Sequence, residues 1–146
     1  MSPLILALAI VTCVLFFLSF LFTLLARSTR RHRAALEAEG IVREGPAVVA
    51  RVTLRGFRGY GRYGNFNSGI LMRPVLTSKT FTFLGSRLHA VPLADLGRYK
   101  VSTGGGQLHI ATDAPVDATG HMEVQLTLPD ADAWAEALWN AGSSRG

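Results

Sequence analysis

The chain has 146 residues, a net charge of +5 and a single cysteine. One cysteine excludes a disulfide-stapled extracellular framework and agrees with a reducing compartment. Once an amino-terminal apolar run is set aside, about 120 residues remain, enough for one modest core and not for two domains.

Residues 3–26, Pro3 to Ala26, form an uninterrupted apolar stretch without a charge. As a helix it reaches about 36 Å, enough to cross a hydrocarbon layer of about 30 Å with some tilt. A cleavable signal peptide wants a basic leader, a shorter apolar core and a small-residue exit. The Met-Ser-Pro start and the Leu24-Leu25-Ala26-Arg27 end supply none of these, so a retained anchor is expected. Arg27, Arg30, Arg31 and Arg33 follow the run as a juxtamembrane cluster. The positive-inside bias then puts the amino terminus outside and the rest of the chain in the cytoplasm, as a single-pass protein of the cell membrane. Cys13 lies inside the span and reads as small apolar filler.

Residues 27–45 read as a basic continuation of the helix, with Ala34, Ala35, Leu36 and Ala38 favouring helix and Gly40 a stop. From Pro46 the period changes to two. Val48, Ala50, Val52 and Leu54 alternate with Val49, Arg51, Thr53 and Arg55, which predicts a half-buried strand with Arg51 and Arg55 on its outer face. Residues 56–69 are rich in glycine, arginine and aromatics, and are expected to form an extended loop. Further strands are expected at 69–73, 79–84, 87–92, 98–102, 107–112 and 121–128. Gly85-Ser86 suits a type II′ turn, and Gly104-Gly105-Gly106 a flexible one. After Pro129, Ala131, Trp134, Ala135, Leu138 and Trp139 recur at helical spacing, with Asp130 as the expected cap and Gly142 beyond the last turn. Residues 141–146 are expected to be a flexible tail.

Taken together, these elements predict a transmembrane helix and a mostly-β domain at 46–140. The domain has about seven antiparallel strands in a strongly bent sheet or partly open barrel, closed by a carboxyl-terminal amphipathic helix. Val75-Leu-Thr-Ser-Lys-Thr-Phe-Thr-Phe-Leu84, Val91-Pro-Leu-Ala-Asp-Leu96, Leu108-His-Ile-Ala-Thr112 and the helix bearing Trp134 follow one another in an order that resembles the pleckstrin-homology superfold, in its GRAM and bacterial PH-like branches. The long glycine-rich segment and the triple glycine depart from that pattern. The resemblance implies a module that binds anionic lipid headgroups or peptides, with basic residues around the first hairpin holding the headgroup.

The charges are distributed unevenly. Residues 46–100 carry nine basic side chains against Asp95 alone, whereas residues 101–146 carry six acids against Arg145. Phe57, Tyr60, Tyr63 and Phe66 recur every three residues among Arg55, Arg58 and Arg62. Arginine pairs bidentately with phosphate, and aromatic rings settle in the interfacial zone. The expected lipid-binding set is therefore Arg51, Arg55, Arg58 and Arg62, with Phe57, Tyr60 and Tyr63 inserting shallowly. The alternatives are that the same residues pack on the domain itself or dock a membrane or cytoplasmic protein as a scaffold would. Membrane attachment weighs against nucleic acid. His89, His109, His121, Asp95, Asp113 and Glu123 are the titratable candidates for chemistry. His109 and His121 alternate outward as solvated strand residues, no spacing suits a metal, and no nucleophile motif is present, so neither an enzyme nor a cofactor is expected.

Overall fold

The computed structural model describes residues 2–84 and 89–146, without the side chains of Leu84 and His89. It divides into two compact units, Met1–Ala38 and Glu39–Gly146.

The first unit is the helix α1, Pro3–Glu39. Pro3 stands at the first helical position, where its missing N–H is no loss, and the Ile5 amide donates back to Ser2. The helix is long and apolar enough to cross a membrane, with a mean hydropathy of 3.0 over its best 18-residue window. Thr12 and Thr23 donate their hydroxyls to the Leu8 and Ser19 carbonyls one turn back (2.8 and 2.9 Å), so that neither hydroxyl hydrogen is left unsatisfied on an apolar surface. The helix outruns the apolar stretch through the arginine cluster, where Arg33 and Glu37 pair at 3.0 Å.

The second unit is a strongly curled, half-barrel sheet. Its strands are β1 (Ile41–Glu44), β2 (Val48–Gly59), β3 (Arg62–Thr77), β4 (Thr80–Leu84), β5 (His89–Pro92), β6 (Lys100–Gly104), β7 (Gln107–Thr112), β8 (Thr119–Thr127) and β9 (Ser144–Arg145). A 3-10 turn, Leu93–Arg98, links β5 to β6, and the helix α2, Ala131–Ala141, follows β8. The spatial order is β5-β4-β3-β2-β8-β7-β6-β9, with β1 alongside β3. All pairings are antiparallel except β6 with β9. The inward residues of the strands meet over one core, in which Leu54, Phe57, Phe81, Leu108, Ile110 and Leu126 pack around Trp134 and Leu138 of α2. Trp139 anchors the other side of the helix by donating to the Val101 carbonyl (3.0 Å). Burying a helix face of this kind is what ties α2 to the sheet.

Several expectations change. Residues 56–69 are no loop, because β2 and β3 form one long hairpin that runs through them to a two-residue turn at Tyr60-Gly61. Both turn residues have positive φ (+52 and +69), as a type I′ turn demands, and the same device, Gly105-Gly106, joins β6 to β7. A ninth-strand pairing also replaces the flexible tail: Ser144 and Gly146 donate to the Tyr99 and Val101 carbonyls (3.0 Å each), and Arg145 stacks over Trp139. Residues 41–44, assigned to the helix and linker, form β1 after Gly40 ends α1 at φ +87. Asp130 precedes α2 but makes no side-chain cap; its carboxylate instead accepts from Arg43 (2.7 Å). Gly142 does close the helix, its amide donating to the Trp139 carbonyl. The Gly85-Ser86 turn and the start of the 87–92 strand lie outside the described residues.

One irregularity sets which residues of β2 face outward. The pairing of β2 slips by one residue against both neighbours, between Leu54 and Phe57 toward β3 and between Arg55 and Arg58 toward β8. This bulge, with Gly56 at φ +56, inserts an extra residue into the alternation. Ala50, Val52 and Leu54 point inward before it and Phe57 points inward after it.

Candidate functional site

Because the bulge restores Phe57 to the core, it also leaves Arg58 outward, in line with Arg51 and Arg55. Across the ladder on the same face, Arg51 stands opposite Gly69 and Gln125, Arg55 opposite His121, and Arg58 opposite Tyr63 and Thr119. All three arginines are exposed. Among the described residues, no carboxylate lies within ion-pair distance of any of them, although Arg43, Arg73 and Arg33 each hold one (Asp130, Glu44 and Glu37). The row therefore carries charge that the fold does not use.

The expected set splits at this point. Phe57 is only 1% exposed and belongs to the core, so it is not available to enter a membrane; a simple period of two through Gly56 would have turned it outward. Arg62 is on the inner side of the hairpin, where it stacks over Phe66 (4.7 Å to the ring centre) and is separated from the outward row. Tyr60 is held down at the turn, its hydroxyl donating to the Val116 carbonyl and its ring 5.8 Å from Phe57. Burial, with nearby Tyr99 and Asp117, pushes its phenol well above the ordinary tyrosine range. Tyr63 alone of the aromatics stands free, at 80% exposure, beside Arg58. The structure thus gathers Arg51, Arg55, Arg58 and Tyr63, and leaves out Arg62, Phe57 and Tyr60.

The neighbours of the row are residues the sequence presents as titratable candidates, without placing them beside the arginines. His109 and His121 both reach Glu123 (3.4 and 3.9 Å), and His121 shares a hydrogen bond with Asp113 (2.8 Å). Glu123 is opposite Thr53, diagonal to Arg51 and Arg55, and is turned to the histidines instead. The period-two pattern of 121–128 places His121 and Glu123 on one face; the β7–β8 register, which pairs His109 with Gln125 and Ala111 with Glu123, brings His109 beside them. His89's side chain is not among those described, and no group of His, Cys, Asp and Glu among the described residues could hold a metal.

A second polar cluster lies where the module begins. Thr77 and Thr80 donate their hydroxyls to the Glu39 carboxylate (2.7 and 2.9 Å), and Ser78 donates to the Glu39 carbonyl. These bonds, Thr77 first, hold the Glu39 carboxyl below the ordinary carboxylate value. Its role is structural: it fixes the start of β1 against the β3–β4 turn.

No protein-family model matches this chain, and neither a curated protein nor a solved structure does.

Proposed function

We propose that the chain is a single-pass membrane protein, amino terminus outside, whose cytoplasmic PH-like module is a non-enzymatic binding domain. It presses the outer face of β2 against anionic headgroups of the bilayer that holds α1. The observation that carries this reading is the row Arg51, Arg55 and Arg58, exposed and without a carboxylate partner, with the free ring of Tyr63 beside it. A curled sheet closed by a tryptophan-bearing terminal helix agrees with the PH-like resemblance, and a basic first hairpin is where that resemblance puts the headgroup. Each basic side chain near an anionic surface contributes about 1 kcal/mol, so three supply roughly 3 kcal/mol at low salt. That is weak for a free domain and sufficient for one tethered to the same membrane.

The test uses the full chain with Cys13→Ser, labelled through Tyr63→Cys with an environment-sensitive fluorophore and reconstituted into vesicles. In vesicles containing anionic lipid the emission shifts to the blue. It returns with added salt and in Arg51→Glu/Arg55→Glu/Arg58→Glu, while zwitterionic vesicles leave it unshifted. Equal emission in both lipids at low salt overturns the reading.

A further inference from the structure

The sheet leaves one long edge open. Among the described residues, β3 pairs with β2 and β1 on one side, and on the other with β4 from Arg73 to Leu76. Among the described residues, nothing pairs with that side of β3 from Arg62 to Met72, and none of those residues is buried. An open edge is a template for another strand, and stable proteins blunt it with charge, proline or shortness. Among the described residues the other edges are blunted: β1 carries Arg43 and Glu44, β5 ends in Pro92, and β9 is two residues including Arg145. Past Arg62, the edge of β3 has neither charge nor proline. Tyr63-Gly-Asn-Phe-Asn-Ser-Gly-Ile-Leu-Met72 contains no charge and no proline.

The outer face along this edge also exposes apolar side chains among its polar ones. Among the described residues beyond α1, the exposed large hydrophobic ones are Val42, Val49, Tyr60, Tyr63 and Leu71, and three of these lie along the edge or beside it. Val49 (69% exposed) is directly opposite Leu71 (60%), and Tyr63 lies toward the other end of the strand. We propose that this edge takes the same edge of a second copy, antiparallel, making one continuous sheet across two chains. Between Arg62 at its start and Arg73 beyond its end the segment is uncharged, so its centre does not repel its own copy. Directly opposed residues of an antiparallel pair share a face, so the register that uses the whole open segment is centred on Asn67. It sets Asn67 against its own mate and Tyr63 of each copy against Leu71 of the other, which covers the apolar residues that the monomer leaves exposed.

Size decides how strong this contact is. About eleven paired residues extend about 37 Å, and a sheet with its side chains is about 10 Å thick, so each copy buries on the order of 400 Å². The total falls short of the roughly 1,200 Å² of a stable soluble complex. The dimer is therefore a weak one that depends on local concentration, which shared anchoring in one membrane supplies. It does not require the arginine row to touch lipid.

The test is cross-linking of the full chain in zwitterionic vesicles, in which lipid charge plays no part. In the Cys13→Ser background, Asn67→Cys is compared with Thr53→Cys, its outward neighbour on β2, at several protein-to-lipid ratios under mild oxidation. Pairing brings the two thiols of Asn67→Cys together and keeps those of Thr53→Cys about 14 Å apart, three strand spacings. Asn67→Cys is expected to form disulfide dimers at least about ten times faster. Adding Tyr63→Lys/Leu71→Lys, which opposes like charges, abolishes the difference, and Tyr63→Lys/Leu71→Glu, which opposes unlike charges in the same register, restores it. Dimers formed through α1 alone treat the two thiol positions alike. Equal rates, no cross-linking at the highest density, or failure of the charge exchange to restore it overturns the proposal and leaves the edge to an extended segment of a different protein.

Discussion

The bulge that sets the outer face rests on Gly120, and replacing that glycine tests the explanation. Gly120 lies opposite the extra residue of β2, between the pairs Arg55 with His121 and Arg58 with Thr119. Its φ is +93, and a Cβ built there would fall 2.4 Å from the Gly56 oxygen, 2.6 Å from the Gly56 carbonyl carbon and 2.7 Å from the Arg55 oxygen. All three are backbone atoms that no rotamer change can move. Gly120→Ala thus combines a left-handed backbone cost of about 1–2 kcal/mol with overpacking of about 1–3 kcal/mol. Gly64→Ala is the control: its φ is +86, yet a Cβ there meets nothing within 4 Å, so it carries the backbone cost alone. The two variants should differ by about 2 kcal/mol, roughly 8–16 °C in Tm for a module of this size. Thermal unfolding of the full chain in detergent, followed by tryptophan fluorescence, measures this directly. Both tryptophans, Trp134 and Trp139, lie in the module and none in α1, so the signal reports the sheet. Melting of the two variants within about 2 °C of each other refutes the claim that the bulge is packed against Gly120.

Three further outcomes follow from the geometry. Phe57→Ala should cost about 3–5 kcal/mol in the same unfolding experiment and Tyr63→Ala less than about 0.5 kcal/mol, because one is core and the other solvent-exposed. The depressed pKa of Glu39 contributes stability that is present above its unfolded value near 4.5 and is lost as pH falls through the lower folded value. Glu39→Gln should therefore lower stability at neutral pH and flatten the acid limb of the stability profile. Burial raises the pKa values of Tyr60 and Tyr99, so the folded state keeps protons that the unfolded chain gives up above about pH 10; stability declines from there upward, and Tyr60→Phe and Tyr99→Phe each make the decline shallower.

What could be read in the sequence was whatever a single period expresses. The apolar run became α1, the alternation at 48–55 and 121–128 became the two strands that carry and flank the arginine row, and the 131–141 periodicity became α2. The hairpin through 56–69 was hidden for a physical reason. Its turn uses Tyr60, where an asparagine or aspartate would have announced a type I′ geometry, and its glycines mark a bulge and not flexibility. A bulge shifts every later residue by one position, so side chains on either side of Gly56 could not be assigned to faces by counting. Counting therefore places Arg51 and Arg55, which precede the bulge, on the outer face, and fails for Phe57, which follows it. The carboxyl-terminal strand is two residues long and carries no pattern; backbone bonds to β6 create it.

The order of strands in the sheet also imposes an order on biosynthesis. β2 is among the first strands to leave the ribosome, yet one of its two neighbours is β8, and Arg51 waits for Gln125, 74 positions later. At about 5–20 residues per second, the 48 positions from the end of β3 at Thr77 to Gln125 take roughly 2–10 s, during which the β2–β3 hairpin exists with its β8-facing edge open. Pairings this distant in sequence form slowly even after synthesis. The nascent chain therefore spends its most adhesive interval as an unfinished hairpin, and a ribosome that stalls before β8 releases a product that cannot complete its own sheet. Until β8 and α2 arrive, that hairpin lacks the partners that complete its sheet and core.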